Sequence, residues 1–117
     1  MNIFVSGATG FIGLKLCQFL ADEGYKVHAL YRSEKKAKFL KHPNIIPFKG
    51  TITHTKSLER AMKDCWEAYH LAALARPWVK NKHDYDKINT EAAANVFEVA
   101  RKKGVKKLVF TSTAGTL

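Results

Sequence analysis

Cysteine, proline and acid are all scarce in this chain. Of 117 residues two are cysteine, three are proline and ten are Asp or Glu. Cys17 and Cys65 lie far apart, with no Cys-x-x-Cys and no metal-ligand spacing to the histidines. That pattern argues against a disulfide framework and for free buried thiols in a reducing compartment. His28, His42, His54, His70 and His83 also lack metal spacing and read as packing or surface residues, so no metal is expected. No apolar run approaches the ~20 residues of a membrane span. Met1-Asn2 leads straight into an apolar segment, without a basic leader. The expectation is a soluble, cytoplasmic protein without a membrane partner. The shortage of acid leaves a net charge of +10, and nucleic acid is the first partner such a balance suggests. The cations are dispersed, however. Lys35, Lys36, Lys38 and Lys41 lie on one segment, and Arg101, Lys102, Lys103, Lys106 and Lys107 on another. The second group suits a helix C-terminus. Solvated helix faces account for both groups better than a nucleic-acid site does.

What the chain has is alternation. Short apolar runs at Ile3–Val5, Val27–Tyr31, Ile45–Phe48, Ala68–Ala72 and Lys107–Thr111 read as strands. Between them lie segments with helical spacing. Phe11, Ile12, Leu14, Leu16, Phe19 and Leu20 mark the first, closed by Gly24. Ser33 caps a second, running to about Lys41. Leu58–Lys63 is the third, and Asp84–Lys103, closed by Gly104, is the longest. Pro47 places the third strand at an edge, and Trp66 is expected to pack at the start of the fourth. Five strands alternating with four helices give an α/β fold, a doubly wound parallel sheet of the Rossmann type in the order 3-2-1-4-5. Residues 1–117 read as one domain. No closing helix follows the fifth strand, which reads as truncation.

The first turn, Ser6-Gly7-Ala8-Thr9-Gly10-Phe11-Ile12-Gly13, follows a strand and opens a helix. In that context each glycine has a use. Gly7 reverses the chain, Gly10 admits a pyrophosphate against the backbone, and Gly13 allows close packing of the helix. The N–H groups of Gly10, Phe11 and Ile12 then face the phosphates from the helix N-terminus. The second strand ends Leu30-Tyr31-Arg32, without the acid that would bind a ribose 2′-hydroxyl. Arg32, with Lys35, Lys36 and Lys38 nearby, suits a 2′-phosphate instead. The competing reading of Arg32 is a surface arginine that begins a helix.

These residues and three later motifs together resemble the extended short-chain dehydrogenase/reductases (relatives of the NAD-dependent epimerases and dehydratases). The resemblance is strongest to the dihydroflavonol reductase and cinnamoyl-CoA reductase branch, and it covers the whole chain. Its carriers are the turn at 6–13, His70-Leu71-Ala72-Ala73, Asn89-Thr90-Glu91 at the start of a helical stretch, and Phe110-Thr111-Ser112-Thr113-Ala114-Gly115-Thr116. The resemblance implies an NADP-dependent oxidoreductase that reduces a small-molecule carbonyl by hydride transfer, with NADP(H) preferred over NAD(H). It implies that Gly7, Thr9, Gly10, Phe11, Ile12 and Gly13 hold the phosphates, and Tyr31, Arg32 and Lys36 the 2′-phosphate. Thr51 and Ile52 fall at the adenine, and Leu71, Ala72 and Ala73 along the cofactor. Thr111 and Ser112 line the nicotinamide side, Thr113 meets the substrate oxygen, and Asn89 supports the active-site architecture. It also implies that residues 1–117 are a dinucleotide-binding domain, the N-terminal part of a longer protein whose substrate-binding part is not present, and a homodimer is compatible with it. There are two departures. Gly50-Thr51-Ile52 stands where the family often has Asp-Leu or Asp-Ile, and no Tyr-x-x-x-Lys follows Thr113. The chain alone is therefore expected to lack reductase activity. A non-catalytic dinucleotide sensor and a sugar-nucleotide epimerase or dehydratase remain as alternatives.

Overall fold

The computed structural model describes residues 1–8, 11–32, 34–71 and 82–110, the side chains of Phe11 and of 82–89 excepted. The elements run β1 (Asn2–Ser6), α1 (Phe11–Asp22), β2 (Lys26–Tyr31), α2 (Glu34–Ala37), a 3-10 turn (Lys38–Leu40), β3 (Ile45–Lys49), α3 (Thr55–Met62), β4 (Cys65–His70), α4 (Lys82–Lys102) and β5 (Lys107–Phe110). Every strand pairing is parallel, and the order is β3-β2-β1-β4-β5, as the alternation predicts.

Strand side chains alternate between the two faces, so β1 and β2 feed two separate cores. Ile3, Val5, Val27 and Ala29 pack on one face with Cys17, Leu20 and Ala21 of α1. Phe4 and Leu30 pack on the other with Leu58, Ala61 and Met62 of α3 and Val96, Val99 and Ala100 of α4. Helices thus cover both faces, which is why the central strands read as continuous apolar runs. Helix α1 ends in a left-handed glycine: Gly24 donates to the Ala21 carbonyl and Tyr25 to that of Leu20. Gly104 repeats this at the end of α4, with Val105 donating to Ala100. Both cysteines are free and buried, Cys17 in the first core and Cys65 in the second.

Several boundaries and faces differ from the sequence reading. Ile12 and Phe19 are 58% and 60% exposed. The inward face of α1 is Gly13, Cys17, Leu20 and Ala21, a stripe of mostly small residues at helical spacing that brings the helix close to the sheet. The second helix has only four α-helical residues and one 3-10 turn, ending at Leu40; its expected cap, Ser33, lies outside the described residues. Strand β4 starts at Cys65, three residues earlier than the apolar run suggests, and ends at His70. Trp66 does not pack inward and is 42% exposed. The register explains it: Asn2 pairs with Cys65 and Ile3 with Glu67, so Trp66 is an extra residue bulged out of the ladder to β1. Pro47 does lie on the edge strand, β3.

Candidate dinucleotide-binding site

The direction of chain travel across the sheet reverses at β1. From there α1 and β2 lead to one edge, and β4 lies on the opposite side. In open parallel sheets, ligands enter the crevice beyond the carboxyl ends of the strands at such a reversal. The residues at those ends are Ser6, Tyr31, Lys49, His70 and Phe110.

At the crevice itself, Ser6 and His70 face each other in register and are hydrogen-bonded, Oγ to Nδ1 at 2.8 Å. The Leu71 N–H donates to the same Ser6 oxygen at 3.1 Å. Burial disfavours the charged imidazole and lowers the His70 pKa. With the ring neutral, the assignment that uses every group has Ser6 donating to Nδ1 and accepting from Leu71. Phe110 of β5 lies edge-on to the His70 ring at 5.4 Å. One hydroxyl thus ties the start of the glycine turn to the end of β4.

Gly7 has φ of +71°, the left-handed conformation that glycine adopts at no steric cost. Gly13 is a close approach. A Cβ there would stand 1.9 Å from the Gly7 carbonyl oxygen and 2.7 Å from its carbon. The first turn of α1 is therefore folded against the loop backbone, a tighter constraint than helix-on-sheet packing. Ile12 projects into the open at the helix N-terminus. Thr9 and Gly10 lie outside the described residues, as do Ala72, Ala73, Arg76-Pro77-Trp78, Thr111, Ser112 and Thr113. Asn89 is on α4, with its side chain outside them.

At the β2 end Tyr31 is half-buried against the first core, and Arg32 is exposed. Among the described residues neither Arg32 nor Lys36 has an ion pair. Tyr31 and Lys35 share the four-residue spacing of a catalytic tyrosine and lysine. They stand at the β2 end, however, two strands from β4, where no hydride-transfer site is expected. On β3, Lys49 is the register partner of Tyr31, and its Nζ reaches the Glu34 carboxylate at 2.9 Å. That carboxylate raises the Lys49 pKa.

The loop after β3 is held from two helices. The one Ser57 hydroxyl proton of α3 is shared between the His54 carbonyl at 2.8 Å and the Thr51 carbonyl at 3.1 Å, and Asn95 of α4 donates to the Ile52 carbonyl at 2.9 Å. The Thr51 hydroxyl pairs with that of Thr53. Gly50 is required here, since a Cβ would stand 2.3 Å from the Ser57 Cβ. Sequence reasoning missed three elements: the Ser6–His70 pair, the Asn95 clamp and the Lys49–Glu34 pair. Only the first had a signal, a serine just before the glycine turn. Among the described residues no group of three or more His, Cys, Asp or Glu could hold a metal, and no helix is long and apolar enough to cross a membrane.

A glycine turn at the switch point of a 3-2-1-4-5 parallel sheet defines a Rossmann-type fold. The chain belongs to the NAD dependent epimerase/dehydratase family, whose model matches residues 3–117. Dihydroflavonol 4-reductase from Gerbera hybrida is 34% identical over 128 residues, covering 99% of this chain and 34% of that protein. Among solved structures, UDP-glucose 4-epimerase from Thermotoga maritima, with UDP-glucose, superimposes with a TM-score of 0.80 at 28% identity, over 98% of this chain and 38% of its own. Yeast methylglyoxal/isovaleraldehyde reductase complexed with NADPH gives 0.82 at 25% identity, over 96% and 37%. The chain spans about a third of the length of the curated relatives it matches.

Proposed function

We propose that this chain binds NADP(H) in preference to NAD(H) and supplies the cofactor-binding part of an oxidoreductase that reduces a small-molecule carbonyl by hydride transfer. The observation that carries the cofactor preference is Arg32, an exposed cation free of ion pairs among the described residues, at the end of β2, where an NAD-binding sheet carries an acid. The residues fit the group. Gly7 and Gly13 set a tight turn at the N-terminus of the twelve-residue α1, whose N–H groups favour anions. On this reading Gly7, Thr9, Gly10, Phe11, Ile12 and Gly13 hold the pyrophosphate, and Tyr31, Arg32 and Lys36 the 2′-phosphate. Thr51 and Ile52 meet the adenine, and Leu71, Ala72 and Ala73 run beside the cofactor. Thr111 and Ser112 line the nicotinamide, Thr113 hydrogen-bonds the substrate oxygen, and Asn89 supports that end. The bound cofactor supplies hydride; the chain binds it, orients it and keeps its reactive end at the crevice.

The reductase reading draws on the likeness to dihydroflavonol 4-reductases. The likeness to UDP-glucose 4-epimerase favours a second reading, in which the same cofactor site serves a sugar nucleotide. Calorimetric titration of the chain with NADPH and NADH tests the binding claim. Arg–phosphate pairing contributes on the order of 1.5–3 kcal/mol, so Arg32→Ala should weaken NADPH by about tenfold or more and leave NADH unchanged. Equal affinities in the parent would refute the preference. Product analysis of the full-length protein with carbonyl compounds and with UDP-sugars separates the two chemistries.

A further inference from the structure

Glu34 is the only acidic residue between Glu23 and Glu59, and it sits two positions beyond Arg32. A carboxylate that close to the end of β2 works against Arg32. Left free, it would repel a 2′-phosphate and could accept hydrogen bonds from ribose hydroxyls. It is not left free, because Lys49 reaches it at 2.9 Å. Lys49 comes from β3, and its place beside Tyr31 is fixed by the sheet: the two are register partners, and the next residue, Gly50, donates to the Tyr31 carbonyl at 2.9 Å. Both partners of the ion pair are largely exposed, at 62% and 66%. Exposed pairs contribute next to nothing to folding, so stability gives no reason for the arrangement. Its electrostatic effect is local. Among the described residues it cancels the acid nearest in sequence to the end of β2 and leaves Arg32 and Lys36 without an ion-pair partner.

We propose that Lys49 is a specificity-determining residue that acts through Glu34, neutralising it so that the β2 end accepts a phosphorylated ribose. This inference rests on the NADP(H) reading above. Lys49 is assigned no contact with the ligand; it is a positioning and charge-masking residue, and Glu34 is the group it controls.

The test is a double-mutant cycle on the 117-residue chain, with NADPH and NADH as probes and affinity read from nicotinamide fluorescence. Circular dichroism confirms that each variant is folded. Lys49→Met should lower the NADPH-to-NADH affinity ratio by about tenfold, since it sets an uncompensated carboxylate against the 2′-phosphate. Glu34→Gln alone should keep or raise the ratio. In the Glu34→Gln background Lys49→Met should change it by less than about twofold, because the charge it masked is gone. An equal loss in both backgrounds would mean that Lys49 touches the phosphate itself, and would overturn the proposal. So would a ratio that Lys49→Met leaves unchanged. If the parent chain binds neither dinucleotide, the cofactor reading itself fails and this inference with it. A parent that prefers NADPH but ignores the Lys49–Glu34 cycle removes the inference alone.

Discussion

At Gly13 a single missing methyl group shapes the glycine turn. A Cβ would fall 1.9 Å from the Gly7 carbonyl oxygen, and the obstacle is backbone, not a flexible side chain. Overpacking of that kind costs about 1–3 kcal/mol or more. Gly13→Ala should therefore lower the midpoint of urea unfolding and weaken dinucleotide binding together; an unchanged midpoint would show that the turn can yield. His70 gives a second expectation at this scale. Burial lowers its pKa in the folded chain. The unfolded chain therefore takes up a proton first as pH falls below about 6.5, the ordinary histidine value. The stability due to a neutral His70 is complete above that pH and is lost as pH falls through the folded value. Unfolding free energy measured from pH 7.5 to pH 5 should decline, and more gently in His70→Gln. Identical slopes would show that another group governs acid sensitivity. Neither residue stands out in sequence by type alone. Gly13 was legible because it belongs to a spaced motif. The role of His70 was not, because its partner lies 64 positions away.

Among the elements, the strands were the most legible and the helix faces the least. Parallel strands covered on both faces must be apolar throughout, so Ile3–Val5 and Val27–Tyr31 declare themselves, and their alternation with helices gives the strand order. The inward face of α1 was misread because large side chains were weighted over small ones. Phe19 faces solvent while Gly13, Cys17 and Ala21 face the sheet. The start of β4 was misread because a bulge breaks the alternation at Trp66. The C-terminal ends of α1 and α4 were read correctly, since a left-handed glycine is a local signal. Gly104 has φ of +76°, and nothing lies within 4 Å of where its Cβ would be. Gly104→Ala thus isolates the backbone term and should cost about 1 kcal/mol in thermal or urea unfolding, with no loss from crowding. A neutral result would mean that the end of α4 rearranges.

For the molecule as a whole, the expectation is binding without turnover. Carbonyl reduction needs a hydride donor and a proton donor held together. The only tyrosine with a lysine four residues on is Tyr31, at the β2 end, and a tyrosine needs a nearby cation to ionise well below its usual value of about 10. On the proposed reading the chain should bind NADPH yet fail to consume it with a panel of aldehydes and ketones, whereas a longer form that carries a Tyr-x-x-x-Lys should do so. Comparable turnover by both would place the proton donor inside these 117 residues. The two thiols have a different use. Burial pushes both Cys17 and Cys65 up to about 12, aided at Cys65 by the Asp64 carboxylate, so both stay protonated and unreactive near neutral pH while the chain is closed. They lie under opposite faces of the sheet. Each is a built-in clock for one side of the molecule: the rate at which a thiol reagent labels Cys17 times the lifting of α1, and the rate at Cys65 times the parting of α3 and α4. Compared with and without dinucleotide, the two rates would show whether the cofactor stiffens both halves or only the one it touches.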